Sequence, residues 1–281
     1  MALLRVASWN VREGKPVDTG LSQPAALAGI AHLLDDLRVD IVALQEVDFA
    51  GSGRSRILDV IRDETELTHG AWHILSDSSF DPGRRAGVAL ASRFPLKDSE
   101  QVTFTNPRLS TVVNGETIRS HDKGLVAATA VLPDVDVSVV SLHCVPFKMF
   151  GHRAEAAIFR SLWQEISAVL AGFTTGPAIV CGDFNTHRRD LTSAPNGHPL
   201  ARAITEPTQV DDAVDDILFS GEFRLASART TATFSDHRLC VAELALTGAA
   251  RGDASLLAQD PGPVRSLAGR RRGAPRPVCR A

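Results

Sequence analysis

The chain has no tyrosine, two methionines and only four cysteines in 281 residues. The cysteines (Cys144, Cys181, Cys240 and Cys279) show no CxxC or CxH spacing, which argues against a zinc site or a disulfide framework and fits a reducing compartment. Cys181 and Cys240 stand in apolar runs and read as small core residues. Neither GxGxxG nor a P-loop occurs, so no glycine-rich cradle for nucleotide phosphates is expected. No apolar stretch approaches the roughly 20 residues of a spanning helix. The opening MALLRVASWN lacks the apolar core and cleavage pattern of a signal peptide. These absences predict a cytoplasmic monomer with no stable membrane insertion. No repeat period is visible.

What is present is an ordinary globular composition, 44% hydrophobic and 22% charged, enough for one large core. The formal net charge of −3 divides unevenly: residues 251–281 hold seven Arg and two Asp, hence +5, and residues 1–250 carry −8. An acidic body is poorly suited to a duplex-DNA groove and well suited to gathering divalent cations. Residues 249–281 are rich in Pro, Gly and Arg without periodicity and are expected to form a disordered tail after a domain spanning 1–248.

Apolar patterning predicts strands over 3–9, 39–47, 71–75 and 86–93. A helix is expected after Ser22, its N-cap, with Pro24 in the first turn and Leu27, Ile30, Ala31, Leu34 and Leu37 in register. A second helix is expected over 55–68. GLVAATAVL and VDVSVVSLH flank Pro133-Asp134 as an antiparallel hairpin. A helix over 151–171 and a strand running into Asp183 follow. A loop over 186–200 then leads to VDDILFS and HRLCVAELAL. Hairpins mixed with single helices predict an α+β sandwich of packed sheets with helices outside.

Several of these strands meet polar residues at one end. Trp9-Asn10, Gln45-Glu46, His143, Asp183 with Asn185, Asp215, and Asp236-His237 supply acid, amide and imidazole groups. Each alone reads as a turn former, a solvated end or a satisfied core histidine. Together they lack a Ser/His/Asp nucleophile set and suit metal-assisted hydrolysis of a phosphate ester. On strand alternation, Asp183 and Asn185 would share a face while Phe184 anchors them from behind. Gly182 would allow a sharp turn or a close backbone approach.

SWN, LQEVD, SLH, GDFN, VDDILF and SDH, in this order, resemble the endonuclease/exonuclease/phosphatase superfamily with its DNase I-like fold. The resemblance spans roughly residues 3–246. The run from Gln45 to Ser55 is similar to small bacterial members described as metal-dependent hydrolases. The resemblance implies a four-layer α/β/β/α sandwich, mainly antiparallel, with its site at one end of the sheets. It implies Glu46 as the principal Mg²⁺ or Mn²⁺ ligand, with Asn10 and Asp236 in support. Asp183 would activate the attacking water, and Asn185 would hold it or a phosphate oxygen. His237 would contact phosphate as an imidazolium paired with Asp215. His143 would stabilise the pentacovalent phosphorus or protonate the leaving oxygen, a place that tyrosine fills in some branches.

VDDILF leaves a choice between Asp215 and Asp216, with Asp211 and Asp212 nearby. Arg153 is a candidate for substrate phosphate, as are Arg84, Lys148 and Arg188, though solvated surface charge suits each of them too. The expected function is a Mg²⁺- or Mn²⁺-dependent phosphoesterase of nuclease, phosphodiesterase or phosphatase type. Nucleic acid, a phospholipid headgroup and a small ester all remain open as substrates. The alternatives are a catalytically silent binding module of the same fold, or a nucleic-acid binder using the basic tail.

Overall fold

In the computed structural model, which describes residues 3–17, 20–192 and 199–247, the first strand sets the pattern for the rest. β1 (Leu3–Asn10) sends Leu4 and Val6 into one apolar cluster and Ala7 and Trp9 into another, because successive side chains on a strand point to opposite faces. α1 (Gln23–Asp36) begins as expected, with Ser22 accepting from the Ala25 N–H and Pro24 in its first turn. β2 (Ile41–Phe49), α2 (Arg56–Glu64), β3 (His69–Asp77) and β4 (Arg85–Ser92) follow. Next come β5 (Leu96–Thr103), a small hairpin of β6 (Ser110–Val113) and β7 (Glu116–Arg119), and the hairpin of β8 (Gly124–Val131) and β9 (Asp136–His143). α3 (Arg160–Phe173) leads into β10 (Ala178–Asp183). The short β11 (Ala201–Arg202), β12 (Asp215–Phe219), β13 (Phe223–Thr231) and β14 (Leu239–Leu246) complete the described body.

The strands form two six-stranded sheets, ordered β13-β14-β1-β2-β4-β3 and β11-β12-β10-β9-β8-β5. Within them only β1/β2 and β9/β10 pair in parallel. Val6, Ile41 and Val88 of the first sheet meet Val126, Val139, Ile179 and Ile217 of the second in the central core. On the outer face of the first sheet, Val42 and Leu44 pack with Ile30 and Leu34 of α1 and Ile57 of α2. On the outer face of the second, Leu162, Trp163 and Ile166 of α3 cover Val140, Leu142 and Val180. The result is a four-layer α/β/β/α sandwich. Each fully buried aliphatic contributes about 1.5–3 kcal/mol, so the Ile30–Leu34 stripe, more than propensity, holds α1 in place.

The structure departs from expectation in one helix start and two edge strands. The helix expected from 151 begins at Arg160, because Gly151 is left-handed (φ 74°) and the chain runs irregularly to a 3-10 turn at Ala157–Phe159. Trp163 Nε1 donates to Ala154 O at 2.7 Å and fixes that irregular approach. β5 and β13 were not anticipated; both are sheet-edge strands with mostly exposed side chains, so no apolar alternation marks them. The tail expected from 249 onward lies outside the described residues. Among the described residues no helix is long and apolar enough to cross a membrane.

Candidate active site

Strand alternation delivers most of the anticipated residues to one end of the space between the sheets. Asn10 shares a face with Leu4 and Val6, His143 with Val137 and Val139, and Asp183 with Ile179 and Cys181. Asp215 falls in step with Ile217 and Phe219 of the central core. Asp216 therefore faces the other way, where it receives Arg189 Nε at 3.0 Å, Arg202 Nε at 2.7 Å and the Ile204 N–H at 3.0 Å. Of the two, it is Asp215 that lies beside His237. At Gly182 a Cβ would lie 2.3 Å from Leu142 O on the parallel neighbour, so glycine serves close backbone approach.

Glu46 arrives by a different device. Pairing of β2 with β4 jumps from Gln45↔Val88 to Val47↔Gly87, leaving Glu46 as an extra residue with φ 53°. The bulge sends Val47 and Phe49 to the helix side and turns the Glu46 carboxylate into the cleft, 28% exposed. Just before it, Gln45 Nε2 donates to Ser141 Oγ (3.2 Å), which donates to Leu44 O (3.0 Å), tying the sheets together.

Asp183 is the hub. Its Oδ2 accepts from Asn10 Nδ2 (3.1 Å) and lies 3.3 Å from His143 Nε2 and 3.8 Å from His237 Nε2. Its Oδ1 accepts from the Asn185 N–H at 2.9 Å. Behind His237, Nδ1 lies 2.9 Å from Asp215 Oδ2, and the Gln209 amide lies 2.7 Å from Nε2. Burial pulls the His237 pKa down, but Asp215 and Asp183 outweigh it and lift the imidazole to about 10. Asp183 is buried too, yet His237 and His143 hold its carboxyl well below the usual range.

Lys123 was not anticipated. Its Nζ lies 3.1 Å from both ring nitrogens of His143. Burial lowers its pKa against the opposing pull of Glu46 and Asp183. Glu46 is lowered in turn: burial raises it, and Lys123, His143 and His237 outweigh that. A signal for Lys123 existed, since the turn at Pro133-Asp134 sets Gly124 opposite His143 and puts the preceding lysine beside that histidine.

These groups line, or sit directly behind, a cleft of about 900 Å³ whose walls include Glu46, Lys123, His143, Asp183, Asp236 and His237. Asn185 also lines it, but by a turn: β10 ends at Asp183, Asn185 has φ 53°, and its Nδ2 donates to Cys144 O at 2.9 Å. The expected strand alternation therefore stops one residue after Asp183. Arg153 does not come to the cleft; its side chain is 84% exposed and pairs with Glu155. Arg84 is bound to Asp48 and Arg188 to Asp190, while Lys148 does reach the cleft wall, paired with Asp212 at 2.6 Å.

A hard cation fits one place best. The Glu46 carboxylate accepts no hydrogen bond among the described residues, and its nearest ion-pair partner, His143 Nε2, is 4.0 Å away. Asp236, 42% exposed and 3.7 Å from Arg12 Nε, shares the cleft. The ligand-type atoms of Asp183, Asp215 and His237 also fall within 4.8 Å of one another. There, however, Asp215 and Asp183 favour the protonated imidazole and both its nitrogens are engaged, which suits a proton-holding group better than a ligand set.

A family model for the Endonuclease/Exonuclease/phosphatase family matches residues 7–237. A search of curated proteins finds no match. Among solved structures, an endonuclease/exonuclease/phosphatase from Beutenbergia cavernae is 19% identical with a TM-score of 0.66, covering 88% of this chain and 72% of its own. The mannosyl-6-phosphatase of Bacteroides thetaiotaomicron is 18% identical at TM-score 0.57, with coverages of 86% and 100%. Sphingomyelinase C from Streptomyces griseocarneus is 16% identical at TM-score 0.54, with coverages of 86% and 99%. Identities this low establish the fold and leave the substrate open. With sandwich, cleft and sequence match agreeing over most of its length, the chain belongs to the endonuclease/exonuclease/phosphatase family, whose members are phosphate-ester hydrolases.

Proposed function

We propose that this chain is a divalent-metal-dependent phosphoesterase that cleaves its substrate by in-line attack of water on phosphorus. The observation that carries the reading is Asp183, a single carboxylate touched by Asn10, His143 and the Asn185 N–H, with charged His237 beside it. Glu46, with Asn10 and Asp236 in support, would hold Mg²⁺ or Mn²⁺, which supplies Lewis-acid polarisation of the phosphate.

The protein groups divide the remaining work. Asp183 orients the attacking water and takes its proton. His237 and His143 hold its proton affinity low, and the negative charge of a bound phosphate would raise it. Asn10 and the Asn185 backbone fix the direction of its lone pairs. His237, kept charged by Asp215, binds a phosphate oxygen. Lys123 adds positive charge, and His143 a ring nitrogen, where charge builds up in the transition state. Asn185, anchored on Cys144 O, presents its polar group at the cleft wall.

The test is an activity panel with Mg²⁺ and Mn²⁺, comparing a diester, a monoester, single-stranded DNA, RNA and a phospholipid, each repeated after chelation. Metal-dependent turnover of at least one substrate is expected. No turnover of any, or turnover that survives chelation, overturns the reading.

A further inference from the structure

The cleft has an apolar rim that phosphate chemistry does not require. Nine large apolar side chains are exposed among the described residues, and three of them, Phe80 (38%), Met149 (48%) and Val210 (89%), line this one cleft. They come from two loops and, for Met149, the 3-10 turn Phe147–Phe150, so no single strand or helix face explains them.

The segments that carry them are anchored. The Arg12 guanidinium stacks 4.5 Å from the Phe80 ring centroid, and Glu13 fixes the Phe80 loop by accepting from the Ser79 N–H at 3.0 Å and from the Ser78 hydroxyl. Lys148, next to Met149, reaches across to Asp212 in the Val210 turn at 2.6 Å. Gln209, next to Val210, contacts His237. Val210 itself has φ 50°. A β-branched residue in left-handed backbone is strained, and Gly or Asn would relieve that strain in an exposed turn. The strained turn holds the valine side chain out at the cleft wall.

We infer that Phe80, Met149 and Val210 form a subsite for the organic group of the ester, and that the substrate is a phosphate ester with an apolar, aromatic-type group rather than a hydrophilic sugar. The inference rests on the phosphoesterase reading for the phosphate end. It adds what the other end meets: an aromatic face already backed by a cation, a flexible thioether and a branched aliphatic. The turn that carries Val210 also carries Gln209, so the organic group and the phosphate-binding histidine are set by one short segment.

Calorimetric titration of the full chain in Mg²⁺ with phenylphosphonate and with methylphosphonate tests this without needing turnover. Phenylphosphonate is expected to bind at least about tenfold more tightly, the scale of one well-placed apolar contact. That ratio is expected to fall to within about threefold in Phe80→Ala and Met149→Ala. It is expected to keep its wild-type value in Ile158→Ala, an exposed apolar residue away from the cleft (66% exposed). Equal binding of the two phosphonates by the wild type, or a ratio that survives both cleft substitutions, overturns the subsite. Failure of the metal-dependent activity panel overturns the phosphoesterase reading instead, so the two can fail separately.

Discussion

His237 and Asp215 meet through a 2.9 Å contact between Nδ1 and Oδ2, with side chains only 5% and 0% exposed. In so dry a place the carboxylate decides whether the imidazole carries a proton. Asp215→Asn keeps the shape and removes the charge, so the alkaline limb of kcat/KM, set by loss of the His237 proton that Asp215 and Asp183 stabilise, is expected to move to lower pH. The expected shift exceeds about one unit, with a loss of about 10²-fold at the optimum. A pH–rate profile of both proteins in saturating metal checks this, and an unmoved limb contradicts it.

The same pair ties stability to pH. His237 titrates near 10 in the folded chain and at 6.5 when unperturbed, so its stabilisation is complete below 6.5 and is lost as pH climbs through 10. Thermal melts of the metal-free wild type are expected to fall between about pH 7 and 10 more steeply than those of His237→Gln. Parallel slopes contradict the assignment of the charge to this ring.

Asp216 offers the contrasting case. It is bound by Arg189 and Arg202 on the outer side of the sheet, with its side chain fully buried. Asp216→Ala strands buried positive charge and is expected to cost about 3–5 kcal/mol of stability. Denaturant unfolding measures the loss. Asp215→Asn is expected to show the reverse balance, a large loss of turnover with a smaller loss of stability.

Lys123→Met removes the ammonium beside His143 while matching the unbranched stem that carries it. Turnover is expected to fall about 10²–10³-fold. Half-saturation by Mg²⁺ is expected to stay the same or move to lower concentration, because a cation competing for Glu46 has gone. Weaker metal binding in this variant contradicts the placement of Lys123 among the phosphate-facing groups.

Much of this architecture is legible in the sequence because period-two alternation is a strong constraint. In VDDILF it leaves Asp215 and Asp216 open, because Ile217, Leu218 and Phe219 are all apolar and only the packing shows that Asp215 shares the central-core face of Ile217 and Phe219 while Asp216 shares that of Leu218. It fails at Glu46 and Asn185, where φ of 53° breaks the alternation and nothing in the local residues announces the break. Lys123 was hidden for another reason: one lysine before an apolar strand looks like surface charge until hairpin register is counted across to His143. β5 and β13 escape because edge strands need no buried face. The apolar rim escapes because Phe80 and Val210 lie on loops and Met149 on a single 3-10 turn, which only the closed sandwich brings to one cleft.

The central claim is that a divalent ion at Glu46 makes this cleft a phosphoesterase. Its most direct test is the rate of bis-p-nitrophenyl phosphate hydrolysis as Mn²⁺ is titrated into the metal-stripped wild type and Glu46→Gln. The account predicts a saturable rise from a negligible baseline in the wild type, and at least about a tenfold higher Mn²⁺ requirement in the variant. Hydrolysis without metal, or superimposable curves for the two proteins, would contradict it.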